Sequence, residues 1–414
     1  MEMQKVPKGL RLHISVFGKR NVGKSSIINC LAGQQVSIVS EYAGTTTDPV
    51  EKPMEFFGIG PCVLIDTAGI DDIGALGAKR IEKSRKIIER TELALLAVEA
   101  GGPDELETKL LAEFAAAKIP TIVVCNKSDL GGDISAYERL SEENEVELCR
   151  VCALTDTGFD DLRAAIIKSA PAEFLQSDMI IRDLVPAGEA AVLVVPIDKE
   201  APKGRLLLPQ VQAIRDLLDG DSMAIVTQTE RLKDTLSMLS KKPALVVTDS
   251  QAFEQVSRDT PEDVPLTSFS ILFARFKGDL GELAKNTLAI ENLKPGDKVM
   301  IAEACTHHPI EDDIGTVKIP RWLNKYAGGE LVYDHWRSHD FPEDVSKYKL
   351  IVHCAACIWN KREVLCRLSK ARATGVPMTN YGLTIAYCLG VFDRAIRPYE
   401  GVYAMVEDAR GKIF

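Results

Sequence analysis

The chain has 414 residues, 10 cysteines and a formal net charge of −10; the length suggests roughly two or three domains, and the acidic balance argues against general nucleic-acid binding while leaving a local basic patch open. No apolar run reaches the ~18 residues a membrane span needs, and Met1–Lys8 carries no apolar signal-like segment, so the expected location is the cytoplasm, with no membrane and no nucleic-acid partner. Cysteines at this density in that compartment point to metal or redox chemistry rather than to a disulfide framework.

The first predicted element is a buried strand over Leu12–Phe17. It runs into Gly18-Lys-Arg-Asn-Val-Gly23-Lys24-Ser25, followed by apolar residues at helical spacing from Ser26 to Leu31. Strand, G-x-x-x-x-G-K-S and helix together form a phosphate-binding loop rather than an ordinary glycine-rich turn. The glycines let backbone N–H groups converge on phosphate oxygens. Lys24 can reach the β- and γ-phosphates, Ser25 can ligate Mg²⁺, and the helix N-terminus favours negative charge.

The partners of that loop follow in the order a GTPase requires. Gly44-Thr45-Thr46-Thr47-Asp48 lies in a polar stretch able to supply a threonine hydroxyl to Mg²⁺. Asp66-Thr67-Ala68-Gly69 ends the strand Cys62–Asp66; Asp66 can hold Mg²⁺ through water and the Gly69 N–H can meet the γ-phosphate. Asn126-Lys127-Ser128-Asp129 ends the strand Thr121–Cys125. The Asp129 carboxylate can accept from guanine N1–H and the 2-amino group, a donor pair adenine lacks. Cys152-Ala153-Leu154 is a looser match to the final base-contacting segment. Each of these alone is compatible with a turn at a strand end; the ordered set is specific. Strand Leu93–Val98 and a helix over Glu107–Lys118 complete the alternation of a doubly wound α/β domain with a mainly parallel sheet.

This set resembles the translation-factor-related small GTPases of the TrmE–Era-like branch over about residues 10–170. The resemblance implies Thr46 as the Mg²⁺-binding threonine. It also places Asn21 where that branch has a loop asparagine able to help bind K⁺, beside the alternative of a turn residue bonding its own backbone. Ile70 follows Gly69 where Ras-like GTPases carry a water-orienting glutamine, so hydrolysis is expected to be slow unless a monovalent cation or another group substitutes. The expected nucleotide-contacting set is Gly18, Asn21, Gly23, Lys24, Ser25, Ser26, Thr46, Asp66, Gly69, Asn126, Lys127, Asp129, Cys152 and Ala153. Within it Lys24, Thr46 and Gly69 lie closest to the chemistry, and Ser25 and Thr46 hold Mg²⁺.

Pro171–Asp178 reads as a linker. A small α/β unit follows, with strands at Ala191–Ile197, Ala224–Thr227 and Ala244–Thr248 and helices at Pro209–Leu218 and Thr229–Leu239. It shows no catalytic constellation, and Lys199, Lys203 and Arg205 read as a solvated loop, which leaves an interaction surface as its expected role. The polar, proline-bearing Arg258–Pro265 marks the next boundary.

In the last segment Val299–His308 is a strand running into Cys305-Thr-His307-His308, and Leu350–Cys357 is a strand running into His353-Cys354-Ala-Ala-Cys357. A strand at Leu331–Tyr333 lies between them, and helices follow at Asn360–Ala373 and Leu383–Leu389. Parallel strands would bring both cysteine loops to one sheet edge. Spacing alone allows zinc on Cys305, Cys354, Cys357 and a histidine, or an iron–sulfur cluster on the three thiolates. Cys366 and Cys388 sit in helical patterns and read as buried core thiols, as do Cys30, Cys62, Cys125, Cys149 and Cys152; His335 and His339 read as surface or turn residues.

A GTPase domain followed by C-x-H and H-C-x-x-C resembles the [FeFe]-hydrogenase maturation GTPases, the HydF family. The likeness extends through Thr267–Leu280, Glu303–Pro309 and Ile319–Trp322; Ala355-Ala356 stand where that family often has a glycine. The resemblance implies a GTP-binding domain at 1–172, a dimerisation domain at 178–262 and a [4Fe–4S]-binding domain at 265–414. It implies Cys305, Cys354 and Cys357 as cluster thiolates, with His307 and His353 as candidate fourth ligands or supports of the ligands. The implied function is a dimeric scaffold or carrier for the diiron precursor of the hydrogenase active site, made with two radical-SAM partner enzymes. Two other readings stay beside it: a zinc-stabilised regulatory GTPase, and a tRNA-modification GTPase of the TrmE type.

Overall fold

A computed structural model describes residues 6–33, 49–67, 86–175, 179–197, 206–304 and 313–411. The chain divides into two compact units, Met1–Asp178 and Met179–Phe414.

The first unit is built on six strands: β1 (Leu12–Gly18), β2 (Val50–Phe56), β3 (Gly60–Asp66), β4 (Leu93–Val98), β5 (Thr121–Cys125) and β6 (Glu147–Arg150). Their order is β2-β3-β1-β4-β5-β6, with β2 antiparallel to β3 and every other pair parallel. Both faces of β1, β3, β4 and β5 are covered, which is why these inner strands read as largely apolar runs, whereas the edge strands β2 and β6 do not. The two-residue alternation sends Leu12, Ile14, Val16, Leu64, Leu95 and Val124 to one core and Phe17, Val63, Ile65, Leu96 and Val123 to the other. The helices Lys24–Ala32 and Phe159–Ser169 cover the first face, and Glu105–Ala116 and Ser135–Glu143 the second. The helix expected from Glu107 starts earlier because Asp104 and Glu107 form a reciprocal capping box around its first turn.

The second unit holds two four-stranded sheets. In one, β7 (Ala190–Val194), β8 (Met223–Thr227), β9 (Leu245–Thr248) and β10 (Leu266–Ser268) run in the order β10-β9-β7-β8; in the other, β11 (Lys298–Glu303), β12 (Val332–Arg337), β13 (Leu350–His353) and β14 (Met378–Asn380) run β12-β11-β13-β14. All pairs in both are parallel. One apolar cluster contains Val192 and Val246 of the first sheet and Met300 and Ile351 of the second, so the two sheets share a core. β10 follows the expected boundary at 258–265 yet pairs with β9, so that proline-bearing stretch is a connection inside the unit. β12 extends to Arg337, well past Tyr333, because all six of its residues register against β11. The strand expected to reach Ile197 ends at Val194, and the helix expected from Thr229 opens as a short 3₁₀ turn before Leu232–Met238.

The helix Phe269–Lys277 leads directly from β10 and is capped by the Ser268 hydroxyl, which accepts from the Ile271 N–H at 3.2 Å. Near its end, Arg275 donates to Asp183 at 2.8 and 2.7 Å and to the Ile180 carbonyl at 2.7 Å. The same turn at 180–182 is gathered by one carboxylate: Asp216 Oδ2 accepts from the backbone N–H groups of Ile180, Ile181 and Arg182 at 2.9, 2.7 and 3.0 Å. Three donors on one buried oxygen cannot all find replacements when it is removed. Asp216→Ala should therefore lower the unfolding free energy of this unit by about 3 kcal/mol in urea titration. Asp219→Ala, one helical turn on and paired with exposed Arg215, should change it by less than about 0.5 kcal/mol.

Candidate functional site

At the C-terminal edge of the first sheet, β1 ends on Gly18 and the loop closes on Gly23, the N-cap of the following helix. Both positions demand glycine. Their φ angles are +145° and +90°, and an added Cβ would sit 2.4 Å from the Ala97 carbonyl oxygen or 2.3 Å from Asn126 Nδ2. Lys24 is buried, and its ammonium donates to the Gly18 and Lys19 carbonyls at 3.0 and 2.6 Å. Ser25 Oγ donates to Asp66 Oδ2 at 2.5 Å, which brings two of the three expected Mg²⁺-binding side chains together. Ser26 and Asn21 are exposed, and Asn21 is left-handed at φ 65°.

The base-side residues also converge. Asn126 donates to the Val22 carbonyl at 2.9 Å and accepts from the Ala153 N–H at 3.1 Å, so one buried side chain joins the phosphate loop to the Cys152–Ala153 segment. Asp129 is exposed and accepts from the Cys152 thiol at 3.0 Å. Lys127 lies between them with φ 59° and pairs with Glu99 at 2.5 Å. Thr46, Gly69 and Ile70 lie outside the described residues, as do Lys199, Lys203, Arg205, Cys305, His307 and His308.

A second cluster lies at the C-terminal edge of the last sheet. β11 and β13 are adjacent and parallel, with Ala302 opposite His353, so the chain segments leading to Cys305 and Cys354 emerge side by side. Cys354 Sγ accepts from the backbone N–H of Ala304, the residue before Cys305, at 3.1 Å, and from that of Ala356 at 3.4 Å. Ala356 is buried and left-handed at φ 48°, a conformation in which glycine would be unstrained. Cys357 is pushed up by burial, partly offset by the nearby charge of Lys277. Among the described residues no group of three His, Cys, Asp or Glu side chains is gathered to hold a metal.

The surroundings of this loop contain residues that motif reading missed. His353 is 1% exposed; its Nε2 lies 3.2 Å from Arg367 Nη1 and its Nδ1 2.7 Å from the Cys354 carbonyl. Arg367 has only protons to give, so Nε2 accepts and Nδ1 carries the ring proton. With both nitrogens engaged, the ring offers no lone pair to a metal in this arrangement. Burial, then the Arg367 charge, lowers its pKa to about 3. Arg367 stacks over Trp359 at 4.1 Å, and His339, in the turn after β12 and partly exposed, stacks on the same indole at 5.4 Å while bonding Glu363 at 2.5 Å, so a turn residue also packs against the indole beneath the loop. Lys277 is 1% exposed and donates to the carbonyls of Ala356 (3.1 Å), Cys357 (2.9 Å) and Trp359. Its sequence signal was present: Phe269, Phe273 and Lys277 recur every four residues along one helix face. Cys366 and Cys388 are half-buried, and burial pushes the Cys388 thiol up to about 12.

Three family models match the chain: a 50S ribosome-binding GTPase over residues 13–127, a hydrogen maturase F dimerization domain over 180–278 and a hydrogen maturase F tetramerization domain over 281–398. Among curated proteins, the tRNA modification GTPase MnmE of Chromobacterium violaceum is 36% identical over 158 residues, 38% of this chain and 34% of that protein. MnmE of Laribacter hongkongensis is 34% identical over 163 residues, again 38% and 34%. The chain thus spans about a third of the length of these relatives. The G domain of the T. maritima FeoB iron transporter aligns at 22% identity and a TM-score of 0.31, covering 38% of this chain and 98% of that domain. Two adjoining matches to domains described for one family, behind a GTPase domain with its phosphate loop and Asn-Lys-Ser-Asp segment in place, lead to one conclusion: the chain belongs to the hydrogen maturase F family, HydF, with a GTPase domain of the TrmE/Era-like type.

Proposed function

We propose that this GTPase is a scaffold and carrier for the diiron precursor of the [FeFe]-hydrogenase active site, with a [4Fe–4S] cluster in its last domain. The observation that carries this reading is the meeting of the two cysteine-bearing strand ends, with Cys354 Sγ 3.1 Å from the amide next to Cys305. Two N–H groups directed at one sulfur suit a thiolate ligand, so the residues present fit a metal cluster. Cys305, Cys354 and Cys357 would hold it. Three thiolates leave one iron to a weaker, exchangeable ligand, the chemistry a carrier needs. His353 then serves as a support, its proton held on the Cys354 carbonyl and its other nitrogen on Arg367, while His307 remains the candidate for the fourth position.

On the nucleotide side, Gly18, Asn21, Gly23, Lys24, Ser25 and Ser26 bind phosphates. Lys24 exchanges two loop carbonyls for phosphate oxygens, and the Ser25–Asp66 pair opens to Mg²⁺, joined by Thr46 and Gly69. Asp129, with Asn126, Lys127, Cys152 and Ala153, selects guanine. The proposed division is a GTP-binding domain at 1–172, a dimerisation domain from 178 and a cluster-binding domain to 414, with the border between the last two, expected at 262–265, moved beyond β10 because that strand pairs with β9; the matched domain descriptions support oligomer formation. The proposed partners are the hydrogenase and two radical-SAM enzymes, in the cytoplasm. Among the described residues no helix is long and apolar enough to cross a membrane.

Lys24→Ala should abolish GTP hydrolysis, measured as phosphate release, and full activity in that variant would remove the nucleotide assignment. Asp129→Asn should reduce the preference for GTP over ATP by about 2 kcal/mol or more in competition binding, since it leaves polar edges unpaired. If Asn21 helps hold K⁺, turnover should rise when K⁺ replaces Na⁺; equal rates in the two salts would leave its left-handed backbone as a turn and nothing more. Anaerobically purified protein should be brown and contain iron and acid-labile sulfide, both lost in Cys354→Ser/Cys357→Ser. A colourless protein containing zinc would overturn the cluster reading.

A further inference from the structure

We propose that Lys277 is a positioning residue for the cysteine loop: its buried ammonium gathers the carbonyls of Ala356, Cys357 and Trp359 and so holds the turn that presents Cys354 and Cys357 together. What the loop carries rests on the cluster reading above; that Lys277 shapes the loop does not.

Lysine is almost never fully buried without partners, because taking an ammonium out of water is costly. A residue that only filled this point in the core could be methionine or leucine. Lys277 instead ends a helix whose Phe269, Leu272 and Phe273 are buried, and its three-proton head meets three backbone oxygens of one loop. Those carbonyls belong to a turn that lies beyond β13. The exchange satisfies both sides: the loop oxygens gain donors and the cation gains acceptors. It also holds Ala356 at φ 48°, a left-handed conformation disfavoured for alanine.

The helix that carries Lys277 is itself anchored. Ser268 caps it at the start, and Arg275, two residues before Lys277, clamps Asp183 and the Ile180 carbonyl. Residues two apart project in widely different directions from a helix, so Arg275 can brace it against the 180–183 turn while Lys277 reaches the loop. A positioning side chain is effective when its own rotamer is locked by packing, and the Phe273 ring lies 5.7 Å below the ammonium.

The test uses the full chain in its metal-free, reduced state. Wild type, Lys277→Met and Lys277→Gln are alkylated with iodoacetamide, and each cysteine is followed by peptide mass spectrometry. Cys388, in the same unit and raised in pKa by burial, is the internal reference. Losing charge-assisted hydrogen bonds should let the loop open, so Cys354 should react about tenfold faster in Lys277→Met, and Cys357 faster by less because losing the Lys277 charge also raises its thiol pKa, with Cys388 unchanged. Lys277→Gln, shorter and neutral but still a donor, should fall between, and it serves alone where the methionine variant gives no cooperative melt. Equal rates, or equal acceleration at Cys388, would overturn the assignment. Anaerobic reconstitution with ferrous iron and sulfide should then give the variants less bound iron or a shifted EPR signal on reduction. Wild type that takes up neither iron nor sulfide would count against the cluster reading alone, with the alkylation contrast still deciding the role of Lys277.

Discussion

A strand that pairs in parallel with its neighbour must be reached by a crossover, so the loops leaving such a sheet all gather at the C-terminal ends of its strands. That constraint organises both units. In the first, β1, β3 and β5 deliver Gly18, Asp66 and Asn126 to one edge, although they lie far apart along the chain. In the second, β11 and β13 deliver the segments before Cys305 and Cys354 to another. Antiparallel pairing in either place would send adjacent strand ends to opposite edges and separate the residues.

What then stabilises the loops is a repeated exchange between cations and backbone oxygens. Loop carbonyls lack ladder partners, and a largely buried Lys or Arg lacks water; each meets the need of the other. Lys24 donates to the Gly18 and Lys19 carbonyls, Lys277 to three in the cysteine loop, and Arg394 to those of Ser257, Thr260 and Pro261. The same pattern serves different ends. Among the described residues, Lys24 meets two loop carbonyls at the mouth of a phosphate loop, neutral acceptors that phosphate oxygens can replace with gain. Lys277 is enclosed and has three acceptors on one turn, a set suited to holding a shape.

Side chains that join separate loops complete the arrangement. Asn126 bridges the phosphate loop and the Ala153 segment, so a disturbance on the base side is felt on the phosphate side through one residue. Arg367 does the same beneath the cysteine loop, touching His353, Trp359 and the Ser338 carbonyl. The GTPase-model match at 13–127 lies in the first unit, whereas the maturase-specific matches lie wholly in the second. The features that set this protein apart from other GTPases therefore lie in the second unit, which holds the second group of bridges.

Sequence by itself determined the elements whose signal is local. The phosphate loop, the Asp66 and Asn126 segments and the strands with both faces buried follow from short-range spacing and apolar runs, and the cysteine pairs declared a ligand-binding edge once the strands were taken as parallel. Tertiary structure alone decided what depends on partners distant in the chain. β10 joins the middle sheet because β9 offers it a ladder, and β12 runs to Arg337 because β11 does the same. The fate of His353 was decided likewise. Beside two cysteines it reads as either a ligand or a support, yet Arg367, fourteen positions on, occupies one nitrogen and the Cys354 carbonyl the other. The four-residue repeat could place Lys277 on a buried helix face, but only the fold brings the backbone of residues 356–359 to it, because a hydrogen bond spanning some 80 residues leaves no periodic trace in either segment.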